Sequence, residues 1–194
     1  MMREPLGLIL AGGLGTRMGG ALKSGLSLGG ATLLSRVVDR LEPQVARIVV
    51  NANEPLDSKL PVIADATTER LGPLAGVLAG LDWANENGAT HIVSVAVDTP
   101  FFPCDLVPQL LMAGLSHPEG YAIAATEDGL HGTFGIWPVS LREPLAAFLT
   151  EGHRKVRMFT EAQGAATAHF PETTPPSFFN INTKENLMAA EQWL

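Results

Sequence analysis

An α/β fold, with a mostly parallel central sheet and helices on both faces, is predicted by three observations. Short apolar runs lack the strict alternation of a half-exposed strand, as expected where both faces of a parallel sheet are covered. Segments of helical periodicity lie between those runs, and that alternation marks a doubly wound sheet. The first run empties into the glycine-rich stretch GGLGTRMGG, and ligands of such sheets bind beyond the carboxyl ends of the strands.

In chain order, residues 6–11 (LGLILA), 46–52 (ARIVVNA), 91–97 (HIVSVAV) and 121–126 (YAIAAT) are the expected strands. After the first, TLLSRVVDRLEPQ sets Leu33, Leu34, Val37, Val38 and Leu41 on one helical face and Arg36, Asp39 and Arg40 elsewhere, with Thr32 as N-cap. GPLAGVLAGLDWANENG follows the second strand, with Pro73 in the first helical turn and Gly88 near the stop. Beyond the fourth, REPLAAFLTEG and RKVRMFTEAQG read as two more helices. The tail PETTPPSFFNINTKENLMAAEQWL reads as a proline-rich loop, the short run FFNIN and a helix capped by Thr183. No internal repeat or low-complexity linker breaks the 194 residues, so one domain spanning 1–194 is expected.

Composition narrows the classes of function. A content of 46% hydrophobic and 17% charged residues supports a buried core in a soluble protein. With only 13 Lys and Arg and a formal net charge of −7, broad nucleic-acid binding is not expected, so any phosphate site must be local. Cys104 is the single cysteine and cannot form an internal disulfide, which fits a reducing cytoplasm. The N-terminal apolar run is too short for a signal peptide, no stretch reaches bilayer-spanning length, and no membrane partner is expected.

Glycines let backbone N–H groups approach a phosphate without obstruction, so GGLGTRMGG is a candidate cradle. A dinucleotide fingerprint GxGxxG starts at Gly13 and Gly15 but meets Met18 at its third glycine. A Walker A loop also fails, because Lys23-Ser24 comes two residues late after Gly15 and Gly20. What is left is a glycine turn holding Arg17, with Lys23 just beyond it. Two fixed cations there can flank a triphosphate and stabilise charge on the phosphorus centre and the departing pyrophosphate, which suits nucleotidyl transfer.

Such chemistry usually employs Mg²⁺, a hard ion held by one or two carboxylates and by substrate phosphates. HIVSVAVDTPFFP supplies Asp98 at a strand's carboxyl end, ahead of the loop forced by Pro100 and Pro103. Asn51 and Asp65 stand at analogous positions. Asn51 can hydrogen-bond base or ribose, and Asp65 can accept from the N1 and N2 donors of guanine, since an ionised carboxylate only accepts. Each of the three is also a common turn residue. The five histidines, His91, His117, His131, His153 and His169, are scattered and read as surface or packing residues. Trp83, Trp137 and Trp193 read as core or interface.

The order LAGGLGTRMGG, Lys23, VVNAN, an Asp seven residues before GPLAG, a strand ending in DTPFFP, then GHRKV and FNINT resembles the molybdenum cofactor guanylyltransferase family, from Leu8 to about Leu187. LAGGxxxRMG is common to many nucleotidyltransferases; GPLAG with the terminal NINT is more specific. The resemblance implies a single-domain Rossmann-like nucleotidyltransferase fold that transfers GMP from GTP to the terminal phosphate of molybdenum-bound molybdopterin, releases pyrophosphate and uses Mg²⁺. It also implies that Leu10, Ala11 and Gly12 frame the nucleotide with Gly13 and Arg17 nearby, and that Lys23 contacts phosphate. Asn51 and Asp65 match nucleotide-site positions, and Asp98 matches the residue that binds both nucleotide and metal. Arg154, Lys155, Asn180 and Asn182 match motifs that hold the pterin substrate.

Three departures from the family pattern stand out. Leu22 replaces the usual Asp before the lysine, Ala96-Val97 replaces Pro-Cys before Asp98, and His131-Gly132 replaces His-Pro. The expected reaction is in-line attack of the acceptor's phosphate oxygen on the α-phosphorus of GTP, which needs no strong general base because that phosphate is already ionised. A cytidylyltransferase, another nucleotidyltransferase of the same fold, and a weakly catalytic nucleotide or cofactor carrier are the open alternatives.

Overall fold

A computed structural model describes residues 4–12, 23–65 and 72–194. Strand β1 (Leu6–Leu10) is followed by a short 3-10 turn at Lys23–Gly25 and a small hairpin, β2 (Ser27–Leu28) with β3 (Ala31–Thr32). Helix α1 (Leu33–Leu41) starts at Thr32, whose hydroxyl accepts the Ser35 N–H, and it buries Leu33, Leu34, Val37 and Leu41. Strands β4 (Ile48–Asn51) and β5 (Val62–Ile63) lead to α2 (Pro73–Glu86), with Pro73 in its first turn and Gly88 just past its end. Then come β6 (His91–Ala96), α3 (Leu106–Gly114), β7 (Ala122–Thr126) and β8 (Gly129–Pro138). Helices α4 (Arg142–Thr150) and α5 (Val156–Ala162), strand β9 (Ala166–His169) and helix α6 (Lys184–Glu191) complete the order. At α6, Thr183 and Asn186 form a reciprocal capping box.

Seven strands form one sheet in the order β5-β4-β1-β6-β8-β7-β9. β5, β4, β1 and β6 are mutually parallel, with Leu10 opposite both Asn51 and Ala96, and β9 runs parallel to β7. β8 alone is antiparallel to both of its neighbours, β6 and β7. Core clusters cover both faces: Ile9, Val50 and Val95 pack with α1 and α3, whereas Leu8, Val49 and Ile92 pack with α2 and α4. That two-sided burial is why these strands are apolar without interruption. Six elements escape the sequence reading: β2, β3, β5, α3, β8 and β9.

The parallel register has one consequence for function. The chain leaves β1, β4, β5 and β6 at the same sheet edge, so Gly12, Asn51, Asp65 and Asp98 emerge side by side. The antiparallel β8 enters that edge from the other side, with Gly135 opposite Ser94, and brings Thr133 to it.

Candidate active site

At this edge lies a cavity of about 440 Å³ lined by eight of the expected residues, namely Leu10, Gly12, Lys23, Asn51, Asp65, Asp98, Asn180 and Asn182. Its two ends differ in chemistry.

At one end Asn51, buried as the last residue of β4, donates from Nδ2 to Asp65 Oδ1 at 2.9 Å and reaches Ile63 O at 3.4 Å. Asn53 donates from Nδ2 to Asp65 Oδ2 at 2.8 Å, and its Oδ1 accepts the Asp65 backbone N–H at 2.8 Å. Both carboxylate oxygens are thus held by neutral amides. The GPLAG motif provides the space for this arrangement. Gly72, at φ 78°, turns the chain into α2 through a left-handed conformation that a side chain resists. A methyl group on Gly76 would overlap the Asn51 carboxamide and the Leu10 side chain.

At the other end Lys23 Nζ donates to Asp98 Oδ2 at 2.7 Å and also to Asn182 Oδ1. This pair is largely shielded from solvent, with side-chain exposures of 13% and 19%. Thr99, fully buried beside Asp98, lies 3.2 Å from Asp98 Oδ1 and donates to Asn180 Oδ1 at 2.6 Å. The Ile181 N–H donates to Asp98 O at 2.8 Å. Residues 180–182 are therefore fastened to the Asp98 loop by side chain and main chain. Asn186 in turn accepts from the Asn182 and Thr183 N–H groups, which ties the segment to the start of α6.

Asp98 Oδ2 and Asn182 Oδ1 converge on a single cation, the lysine ammonium. Hard oxygen donors of this kind suit a hard divalent ion that completes its shell with phosphate oxygens and water. No cluster of three or more His, Cys, Asp or Glu that could hold a metal by itself occurs among the described residues.

A second cavity, of about 490 Å³, adjoins the first and shares Thr133 and Asn180 with it. Its wall carries His131, which stacks on Phe178 with ring centres 4.1 Å apart and whose Nε2 is 2.9 Å from Thr126 Oγ1. Burial pushes the His131 imidazole below its ordinary value, opposed by the nearby Asp128 charge. The remaining histidines line neither cavity. Trp137 is fully buried, and Trp83 and Trp193 pack at the edges of two core clusters.

Three of the expected residues are placed differently. Ala11 is buried behind the first cavity, with its N–H on Asn51 O at 2.8 Å. Arg154 donates to the Leu149 and His153 carbonyls at 2.6 Å each, and Lys155 is exposed at the start of α5. Neither lines the cavity that holds Asn180 and Asn182. Gly13 and Arg17, with Leu22, lie outside the described residues. The structure adds Asn53 and Thr133 to the lining. Asn53 has a visible signal, an Asn two residues past another at a strand end; Thr133 has none, because its strand reads as a loop.

A family model described as the MobA-like NTP transferase domain matches residues 7–167. A molybdenum cofactor guanylyltransferase of Cereibacter sphaeroides is 46% identical over 193 residues, covering 97% of this chain and 96% of that protein. One of the same description from a Bradyrhizobium species is 44% identical, covering 96% and 91%. Among solved structures, molybdopterin-guanine dinucleotide biosynthesis protein A of Archaeoglobus fulgidus superposes with a TM-score of 0.75 at 23% identity, over 96% of this chain and 97% of that one. The 2-C-methyl-D-erythritol 4-phosphate cytidylyltransferase of Thermus thermophilus superposes with a TM-score of 0.69 at 22% identity, over 98% of each chain, a likeness of fold.

Proposed function

The chain belongs to the MobA-like NTP transferase domain family, among the molybdenum cofactor guanylyltransferases, and from that premise we propose how its cavity divides the work. The reaction transfers GMP from GTP to the molybdenum-bound pterin cofactor with release of pyrophosphate. The guanine lies at the Asn51–Asp65 end, framed by Leu10 and Gly12, with Ala11 and Gly13 beside it. The triphosphate runs toward Lys23 and Asp98, with Arg17 contributing a second cation. Residues 1–194 act as one nucleotidyltransferase unit.

The observation that carries this reading is the presence, in one cavity, of a carboxylate held by neutral amides and a carboxylate paired with an ammonium. The first can accept from the N1 and N2 donors of guanine, and the second stands where phosphate charge must be met. A phosphate oxygen of the acceptor forms a bond to the α-phosphorus while the bond from that phosphorus to the bridging oxygen of pyrophosphate breaks. Lys23, steadied by Asn182, stabilises the charge carried away by pyrophosphate, and Asn180 holds the Asp98 loop through Thr99 at the junction of the two cavities. The acceptor enters from the side of the second cavity, whose lining includes Val156 and Arg157, and is met there by Arg154 and Lys155, which directly precede them in the chain.

Asp98 is the residue that would hold Mg²⁺, and the ion, when bound, supplies charge neutralisation across the phosphates. Among the described residues no helix is long and apolar enough to cross a membrane, and Cys104 is a free, exposed thiol. We place the enzyme in the cytoplasm, with GTP and molybdopterin as substrates, transient contact with proteins that supply or receive the cofactor, and no nucleic-acid partner.

The test is acceptor-dependent pyrophosphate release by the purified protein, with Mg²⁺ and GTP or CTP as donor. GTP is expected to be strongly preferred, and a preference for CTP would overturn the assignment of the base end.

A further inference from the structure

We infer that Asn53 is a positioning residue for base selection, aligning the Asp65 carboxylate so that it accepts from both the N1 and N2 donors of guanine. This rests on the assignment of the guanine to the Asn51–Asp65 end.

Asn53 touches Asp65 twice and in opposite senses. Its Nδ2 donates to Asp65 Oδ2 at 2.8 Å, and its Oδ1 accepts the Asp65 N–H at 2.8 Å. The chemistry allows only this orientation of the amide, because a carboxylate accepts and a main-chain N–H donates. The two bonds close a ring that fixes main chain and side chain of Asp65 together. Asn51 takes the other oxygen at 2.9 Å, so rotation of the carboxylate is blocked from both sides. Each carboxylate oxygen keeps lone pairs free, and its side-chain partners among the described residues are neutral. Asn53 is exposed, and its side-chain hydrogen bonds among the described residues both go to Asp65. Its amide therefore serves the carboxylate and not the core.

The consequence for selection follows from the edges of the bases. Guanine presents two adjacent donors to an aligned carboxylate and hypoxanthine presents one, whereas adenine and cytosine turn ring-nitrogen acceptors toward it. A fixed carboxylate rewards the second donor; a rotating one does not, and the site's preference for the 2-amino group falls. ITP, which lacks that group alone, isolates the effect.

The experiment uses the full chain with Mg²⁺. GTP and ITP binding are measured by calorimetry, and kcat and KM are measured with the pterin acceptor, for the unaltered protein and for Asn53→Ala, Asn53→Asp and Asp65→Ala. Asp65→Ala is expected to abolish the preference for GTP over ITP. Asn53→Ala should lower it about tenfold, the scale of one hydrogen bond to a charged group, and should raise KM for GTP by more than it lowers kcat. Asn53→Asp should lower it further, since it removes the donor and sets a second carboxylate against the first. If Asp65→Ala abolishes the preference while Asn53→Ala keeps it in full, the positioning role is refuted and the base assignment stands. If Asp65→Ala keeps the preference, the base assignment fails and the role of Asn53 falls with it.

Discussion

The two ends of the cavity are built from the same parts and do opposite things with them. Each has an aspartate beyond a strand's carboxyl end and asparagine side chains beside it. At the base end the carboxylate of Asp65 is gripped by Asn51 and Asn53, both neutral, so its charge stays available to a ligand that donates. At the phosphate end Asp98 is paired with Lys23 at 2.7 Å, and Asn182 directs its oxygen, not its NH₂, at that ammonium. The lysine offsets the Asp98 charge, which lets an anion approach a carboxylate that would otherwise repel it. The difference teaches that the partner of an aspartate, more than the aspartate itself, decides what the aspartate can bind.

That contrast predicts separable defects. Lys23→Ala should have the largest effect, because it removes the cation facing the leaving group and leaves Asp98 unpaired beside the phosphates. We expect kcat to fall about 100- to 1000-fold, by analogy with the loss of one charge-stabilising group in an active site. The preference for GTP over ITP should be unchanged, since both nucleotides carry the same triphosphate. Steady-state kinetics with each donor would check this, and a collapse of base preference in Lys23→Ala would dissolve the division between the two ends.

Gly76→Ala probes the other end. In a helix interior, alanine in place of glycine is worth about 1 kcal/mol in favour of the helix. Here the added methyl overlaps the Asn51 carboxamide and Leu10, and overpacking of this kind costs about 1–3 kcal/mol. The clash outweighs the propensity, so the thermal midpoint should fall slightly. Displacement of Asn51 should raise KM for GTP about tenfold while kcat changes little. An unchanged KM would mean that Asn51 does not govern the base end.

How far these ends are legible in the sequence differs by residue. Asn51, Asp65 and Asp98 stand out because polar side chains at the carboxyl ends of apolar runs face the ligand-binding edge of a parallel sheet, and Lys23 because it follows the glycine turn. The caps at Thr32 and Thr183 and the turn residues Pro73 and Gly88 are readable from local chemistry alone. Strand β8 is not, because GLHGTFGIWP carries three glycines and a proline and reads as loop. Its glycines answer to tertiary crowding: a methyl on Gly132 would press on Val156, and one on Gly135 on Ile123 and Trp137. Without β8, Thr133 has no place. Helix α3 hides behind Pro108, which occupies the third position, where a helix N–H needs no intrahelical partner. The segment FNINT carries a signal of the right kind, but that Asn182 reaches Lys23 and Asn180 reaches Thr99 is a matter of long-range packing that spacing does not reveal.

Thr99→Val sharpens the comparison with a smaller change. Valine matches threonine in shape but cannot donate to Asn180 Oδ1, which then loses its 2.6 Å bond to the buried Thr99. Water can reach the exposed Asn180, so the loss is that of one ordinary hydrogen bond, about 0.5–1.5 kcal/mol, and stability should fall slightly in denaturant unfolding. Because Thr99 also lies against Asp98, a loosened loop should lower kcat about fivefold, less than the loss of a charged bond, and leave base preference untouched. A shift in base preference would show that the two ends communicate.

The smallest effect belongs to neither end. His131 stacks on Phe178 in the second cavity, and burial there holds its imidazole below the ordinary value of about 6.5, with Asp128 pulling the other way. The unfolded chain therefore takes up the proton before the folded one does. Stability contributed by neutral His131 is fully present above about pH 6.5 and is lost as the pH falls through the lower folded-state value. The thermal midpoint should decline over that window in the native protein and decline less in His131→Gln, which keeps polar capacity near Thr126 without titrating. If both proteins follow the same curve, His131 gains no protection from its stack, and the acid sensitivity belongs to the carboxylates of the first cavity instead.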